Sequence, residues 1–113
     1  MHEPEEVLAH IWDETLSVVD QKGWMAASRR LRGQLRALRD RPDAGLLIER
    51  DSTALVLGTL QQKFGELSQA SKTLEVAQNS LIPSLSYEAT GALAKVQSQR
   101  GDFCSSLNAL QKL

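Results

Sequence analysis

Few of the residues that could do chemistry lie where they could do it together. The chain has two histidines, His2 and His10, and one cysteine, Cys104. A zinc site needs three or four convergent ligands at about 2 Å, and this set does not supply them by spacing. His2-Glu3-Pro4-Glu5-Glu6 matches the first two letters of HExxH, then places a proline inside and no second histidine in register. Cys104 follows the apolar Phe103 at a helix start, with no neighbouring histidine to serve as its base, so it reads as a small packing residue. Glu5/Glu6 and Asp13/Glu14 are paired carboxylates of a kind that an exposed helix face usually only solvates. GxGxxG, the phosphate-binding P-loop and GxSxG are all missing from the sequence. The expectation is a protein that is not an enzyme, with no metal and no cofactor.

The most concentrated chemistry is cationic. Arg29, Arg30, Arg32, Arg36, Arg39 and Arg41 crowd into thirteen residues. Arg29, Arg32, Arg36 and Arg39 step by three and four, which makes one ribbon on a helix, displaced from Leu31, Leu35 and Leu38. Two readings stay open. The ribbon could meet an anionic partner, such as an acidic helix or RNA phosphates. It could equally be a solvated outer face, balanced in part by acidic neighbours on the preceding helix, and that reading is preferred. No aromatics interleave with the arginines, so recognition of RNA by stacking has no support.

Composition sets the frame for these residues. With 113 residues there is room for one domain and one modest core. A formal net charge of −1 gives no global drive toward nucleic acid or membrane. Apolar runs are a few residues long, against the roughly 20 needed to span a bilayer. The first residues are acidic where a signal peptide would be basic. A lone cysteine cannot form an internal disulfide, which fits a reducing compartment. The expectation is a cytoplasmic protein with neither nucleic acid nor membrane as partner.

The elements that must position these residues are helices. Leu8, Ile11, Trp12, Thr15, Leu16 and Val19 follow helical spacing between Glu5 and Gln21, with Pro4 suited to the first turn. Gly23 ends that helix beside Lys22, which complements the C-terminal dipole. A second helix spans Trp24 to Arg39, with Ala27, Leu31, Leu35 and Leu38 on one stripe and Pro42 as its stop. Residues 43 to 64 form a third helical region in which Asp51-Ser52-Thr53 could mark a break with a fresh N-cap. Gly65 closes it, and Glu66 to Asn79 carry Leu67, Ala70, Leu74 and Ala77. Pro83 falls in the connection Ser80 to Ser86. A fifth helix is expected from Tyr87 to Gln99, a turn at Arg100-Gly101, and a sixth helix opening at Asp102. Short turns between such helices imply antiparallel hairpins.

An internal repeat ties the hairpins together. At an offset of 36 residues, Leu57 falls on Leu93, Gly58 on Ala94, Gly65 on Gly101, Leu67 on Phe103, Ala70 on Ser106 and Leu74 on Leu110. Residues 9 to 35 fit a third copy, with Trp12 at the bulky position and Gly23 at the turn. This pattern resembles the tetratricopeptide repeat (TPR), whose signature is a bulky residue, Leu-Gly, an aromatic, a turn Gly, Ala, an aromatic and Ala. Ala54 and Thr90 stand where the family has Trp, and Gln61, Gln97 and Leu74 where it has aromatics. Small Gly58 and Ala94 suit a close helix approach, and Ala70 and Ala77 suit helix crossings. The resemblance implies one all-α domain over 1–113, a solenoid of about three stacked hairpins with approximate repeats 9–42, 51–84 and 87–113.

What the resemblance implies for function is a groove. In TPR proteins the first helix of each hairpin lines a concave surface that takes a peptide or helix. Its positions transfer to Ser52, Leu55, Thr59, Gln62 and Lys63 in the middle copy and to Glu88, Gly91, Lys95, Ser98 and Gln99 in the last. In the first copy they are His10, Asp13, Ser17 and Gln21. The expected contacts are Leu55, Thr59, Gln62, Lys63, Gly91, Lys95 and Gln99, with an amphipathic helix of another protein as the partner. On this placement Leu55→Asp would abolish binding and leave helicity nearly unchanged. In size and architecture the chain is similar to the small cytoplasmic chaperones of bacterial type III secretion that hold an aggregation-prone needle-subunit helix, which implies a chaperone with a role in virulence. Leu107, Leu110 and Leu113 lack a polar cap, so a self-associating scaffold, such as a homodimer packing through that end, is the alternative expectation.

Overall fold

The computed structural model describes residues 4–39 and 46–100. They form α1 (Pro4–Lys22), α2 (Trp24–Arg39), α3 (Leu47–Lys63), α4 (Leu67–Gln78) and α5 (Pro83–Gln99), with no strand among the described residues. The sixth helix, the Gly101 turn and the Pro42 stop lie outside the described residues.

Glycine sets two of the three described turns. Gly23 takes a positive φ of 91° just past Lys22, and its N–H donates to the Val19 carbonyl at 2.9 Å. Gly65 has φ 86°. Its N–H donates to the Gln62 carbonyl, and the Glu66 N–H to the Gln61 carbonyl at 2.9 Å. That pair of bonds is the Schellman arrangement, which closes a helix at a left-handed residue and satisfies its last carbonyls. Trp24 and Phe64 stack across these two turns, with ring centroids 4.6 Å apart and planes within 5°.

Two boundaries differ from the sequence reading. Helix α3 runs unbroken through Asp51-Ser52-Thr53, and all three residues are buried. Asp51 accepts a hydrogen bond from Arg50 Nε at 2.9 Å, so its polarity is met inside the helix rather than spent on a cap. Pro83 is the first residue of α5, not part of the connection. Its fixed φ and missing N–H suit that position. Ser86 Oγ donates back to the Gln78 carbonyl at 2.7 Å and ties the start of α5 to the end of α4.

Helix α3 is the centre of the molecule. It packs against each of the other four helices, while α1 pairs with α2 and α4 with α5. Residues 51–58 are buried without interruption, and the core joins Leu31 and Leu35 of α2, Leu57 and Leu60 of α3, Leu74 of α4 and Leu93 of α5. Leu47 to Pro83 and Lys63 to Gln99 are both displacements of 36, so α3 and α5 are 17-residue helices in register.

Close approach holds α4 against its neighbours. Ala70 and Ala77 are fully buried on α4, which lies between α3 and α5. Ala70→Leu is expected to lower stability by about 1–3 kcal/mol, because added bulk at a tight crossing forces backbone apart. An unchanged thermal melt would remove Ala70 from the helix crossing.

Candidate protein-binding clefts

The seven expected contact residues fall into different environments. Leu55 is internal, 4% exposed, which corrects its placement on an open groove. It lies on the side of α3 that the neighbouring helices cover. Thr59 is half-buried and its hydroxyl donates to the Leu55 carbonyl at 2.8 Å. Gln62 and Gln99 are brought together, with the Gln62 amide donating to Gln99 Oε1 at 3.1 Å. Lys63 and Lys95 are exposed and Gly91 is half-buried. This face of α3 and α5 is therefore polar, and it lacks the apolar anchor that Leu55 was expected to supply. Ser52 is fully buried as well. In the first hairpin His10, Asp13, Ser17 and Gln21 do share one shallow surface of α1, bordered by Arg30.

A larger opening lies between α1, α2 and α3. It measures about 780 Å³ and is lined by Val7, Ile11, Ala37, Leu38, Leu46 and Thr53, with Glu6, His10, Glu14, Gln34 and Glu49 also around it. Ile11, Leu38 and Leu46 are half-buried, so part of each remains for a ligand to cover. His10 Nε2 lies 2.8 Å from Glu14 Oε1, and Glu14 also accepts from Arg30 at 3.2 Å. Glu49 is exposed. Three carboxylates beside an apolar surface make an acidic cleft. Among the described residues no three His, Cys, Asp or Glu side chains converge as metal ligands would.

The opposite sign gathers on the other side of α2. A cleft of about 530 Å³ runs between α2, α3 and α4, lined by Arg32, Leu35, Arg36 and Arg39, by Leu57 and Gln61, and by Gln69, Lys72 and Thr73. Charge segregation between adjacent helices produces the contrast. Helix α1 has five acids against one lysine, whereas α2 has five arginines and no acid. Arg30 turns toward α1 and meets Glu14. Arg32 donates to Ser28 Oγ at 3.0 Å and lies 4.0 Å from Glu66 Oε2, too far for a hydrogen bond.

The arginine ribbon was legible in the sequence, but Lys72, Gln61 and Thr73 were not associated with it. They sit 22 to 41 residues further on than Arg32, Arg36 and Arg39, and only the packing of α3 and α4 brings them to the same cleft. Nor did Val7, Leu46 and Glu49 carry any signal of a shared opening. No family model, no curated protein and no solved structure matches this chain. No helix among the described residues is long and apolar enough to cross a membrane.

Proposed function

We propose that the protein is a non-enzymatic interaction module, a chaperone or adaptor that holds an amphipathic helix of a partner protein. The observation that carries this reading is the acidic cleft between α1, α2 and α3, with its half-buried apolar edges of Ile11, Leu38 and Leu46. An amphipathic helix presents apolar residues at i, i+3, i+4 and i+7, and such a stripe suits a groove between helices. Exposed Glu49 favours a partner whose stripe is flanked by lysine or arginine, whereas Glu14 is already engaged by Arg30 and His10. The succession of antiparallel hairpins, with α1 and α5 both against α3, supports a TPR-like array as the scaffold. A cytoplasmic chaperone of the type III secretion kind is one protein this reading describes. The α3–α5 face, with Thr59, Gln62, Lys63, Gly91, Lys95 and Gln99, then contributes polar contacts rather than the anchor.

The test is affinity capture from native cell extract followed by mass spectrometry, comparing the wild-type chain with Leu46→Ser/Glu49→Lys. The partner should bind the double variant at least about tenfold more weakly, as expected when an anchor and a charge pair are lost. Circular dichroism should show the variant folded. Retention by this variant, with loss from a Gln62→Ala/Lys95→Ala/Gln99→Ala variant, would move the site to the α3–α5 face. A stable dimer by light scattering, with no partner captured, would favour the self-associating scaffold.

A further inference from the structure

We infer that the basic cleft between α2, α3 and α4 is a docking site for an acidic peptide segment, separate from the helix-binding cleft and independent of that reading. Three observations carry it. The first is uncompensated charge. Arg30 is met by Glu14 and Arg32 leans on Ser28 and Glu66, but Arg36, Arg39 and Lys72 have no carboxylate partner among the described residues. Three exposed cations around one opening, without a carboxylate partner among the described residues, favour an anionic ligand there.

The second observation selects a peptide among anions. Gln61 lines the cleft, is 2% exposed, and its Oε1 has no hydrogen-bond partner. That oxygen can only accept, so it calls for a ligand with an N–H donor. Phosphate esters of a nucleic acid backbone offer acceptors alone, and no aromatic ring lines the cleft to stack a base. A peptide carries carboxylates for the cations and backbone N–H groups for Gln61.

The third is the match of lengths. Arg32, Arg36 and Arg39 lie along one side of α2, and seven residues of helix rise about 10 Å. Acidic side chains at alternate positions of an extended peptide recur about every 7 Å on one face, so two of them match the rise of about 6 Å from Arg32 to Arg36. Leu35 and Leu57, both largely buried, give the cleft an apolar floor for the peptide backbone to rest on. Glu66 already places one carboxylate of this chain at the Arg32 end.

Fluorescence anisotropy on the whole chain tests the assignment. The probe is a labelled peptide of about twelve residues with glutamate at every second position. Its controls are the same peptide with glutamine instead and a single-stranded oligonucleotide of equal charge. The glutamate peptide should bind at low salt and weaken as salt rises. Arg36→Glu/Lys72→Glu should weaken it by about tenfold or more, since like charges now face each other. Gln61→Leu should weaken it by about threefold with the salt dependence unchanged, the mark of a lost neutral hydrogen bond. The melting temperature of Gln61→Leu should not fall, because the unpaired oxygen is gone. Arg29→Glu, outside the cleft, and Glu49→Lys, in the other cleft, should leave binding within about twofold. Absence of binding, equal binding of the glutamine peptide, tighter binding of the oligonucleotide, or indifference to the Arg36/Lys72 reversal would each overturn the proposal.

Discussion

Leu55→Asp is expected to unfold the chain. Leu55 is 4% exposed, midway along α3, against which the other four described helices pack. Its neighbours in the core include Val56, Leu57 and Leu60 of α3, and no arginine or lysine is buried among them. A carboxylate there must either ionise without a partner or fold in its protonated form, and each route costs several kcal/mol. A domain of this size is stabilised by only about 5–15 kcal/mol in total. Loss of the cooperative melt, followed by circular dichroism, is therefore the expected result. Leu55→Ala, which leaves a cavity but no charge, should cost about 2–5 kcal/mol and keep a cooperative transition at lower temperature. A Leu55→Asp variant melting within a few degrees of wild type would return this side chain to an open surface.

That expectation reverses the one drawn from sequence, and the reason is physical. A helix is read from its polar stripe, and α2 has a clear one: Leu31 and Leu35 are buried while Arg29, Arg32, Arg36 and Arg39 are exposed. Its limits, its core face and its basic ribbon were all legible. Helix α3 has no such stripe in the middle, because neighbours cover it on all sides and residues 51–58 are buried together. Polar residues there carry no information about which face meets solvent. Asp51, Ser52 and Thr53 consequently resembled a helix start, whereas Leu55 was placed on a groove by transfer of the TPR positions, which take no account of burial around the whole of 51–58. The glycine turns were legible because Gly23 and Gly65 require a backbone conformation that other residues rarely adopt. The clefts were not, since each is assembled from three helices that only tertiary packing brings together.

Gly58→Ala should destabilise the fold although alanine is the better helix former. In an exposed helix interior this exchange gains about 1 kcal/mol from backbone entropy. At Gly58 the added Cβ would stand 2.5 Å from Leu74 Cγ and 2.6 Å from Cδ2. Leu74 is fully buried on α4, which packs against both α3 and α5, so moving it disturbs the core. The steric term should win, with a net loss of about 1–3 kcal/mol, or a fall of roughly 4–8 °C in Tm per kcal/mol for a domain of this size. Gly33→Ala is the control. It lies in α2 with nothing within 4 Å of the new methyl, so it should raise stability by several tenths of a kcal/mol up to about 1. The contact itself is isolated by a double-mutant cycle. Leu74→Ala alone should cost about 2–5 kcal/mol, yet Gly58→Ala added to it should cost little, because Cγ and Cδ2 are no longer present to collide. A coupling of about 1 kcal/mol or more is the expected outcome. Strict additivity of the two substitutions would show that α3 and α4 do not approach each other through Gly58, and the small residue aligned with Ala94 would then need another explanation.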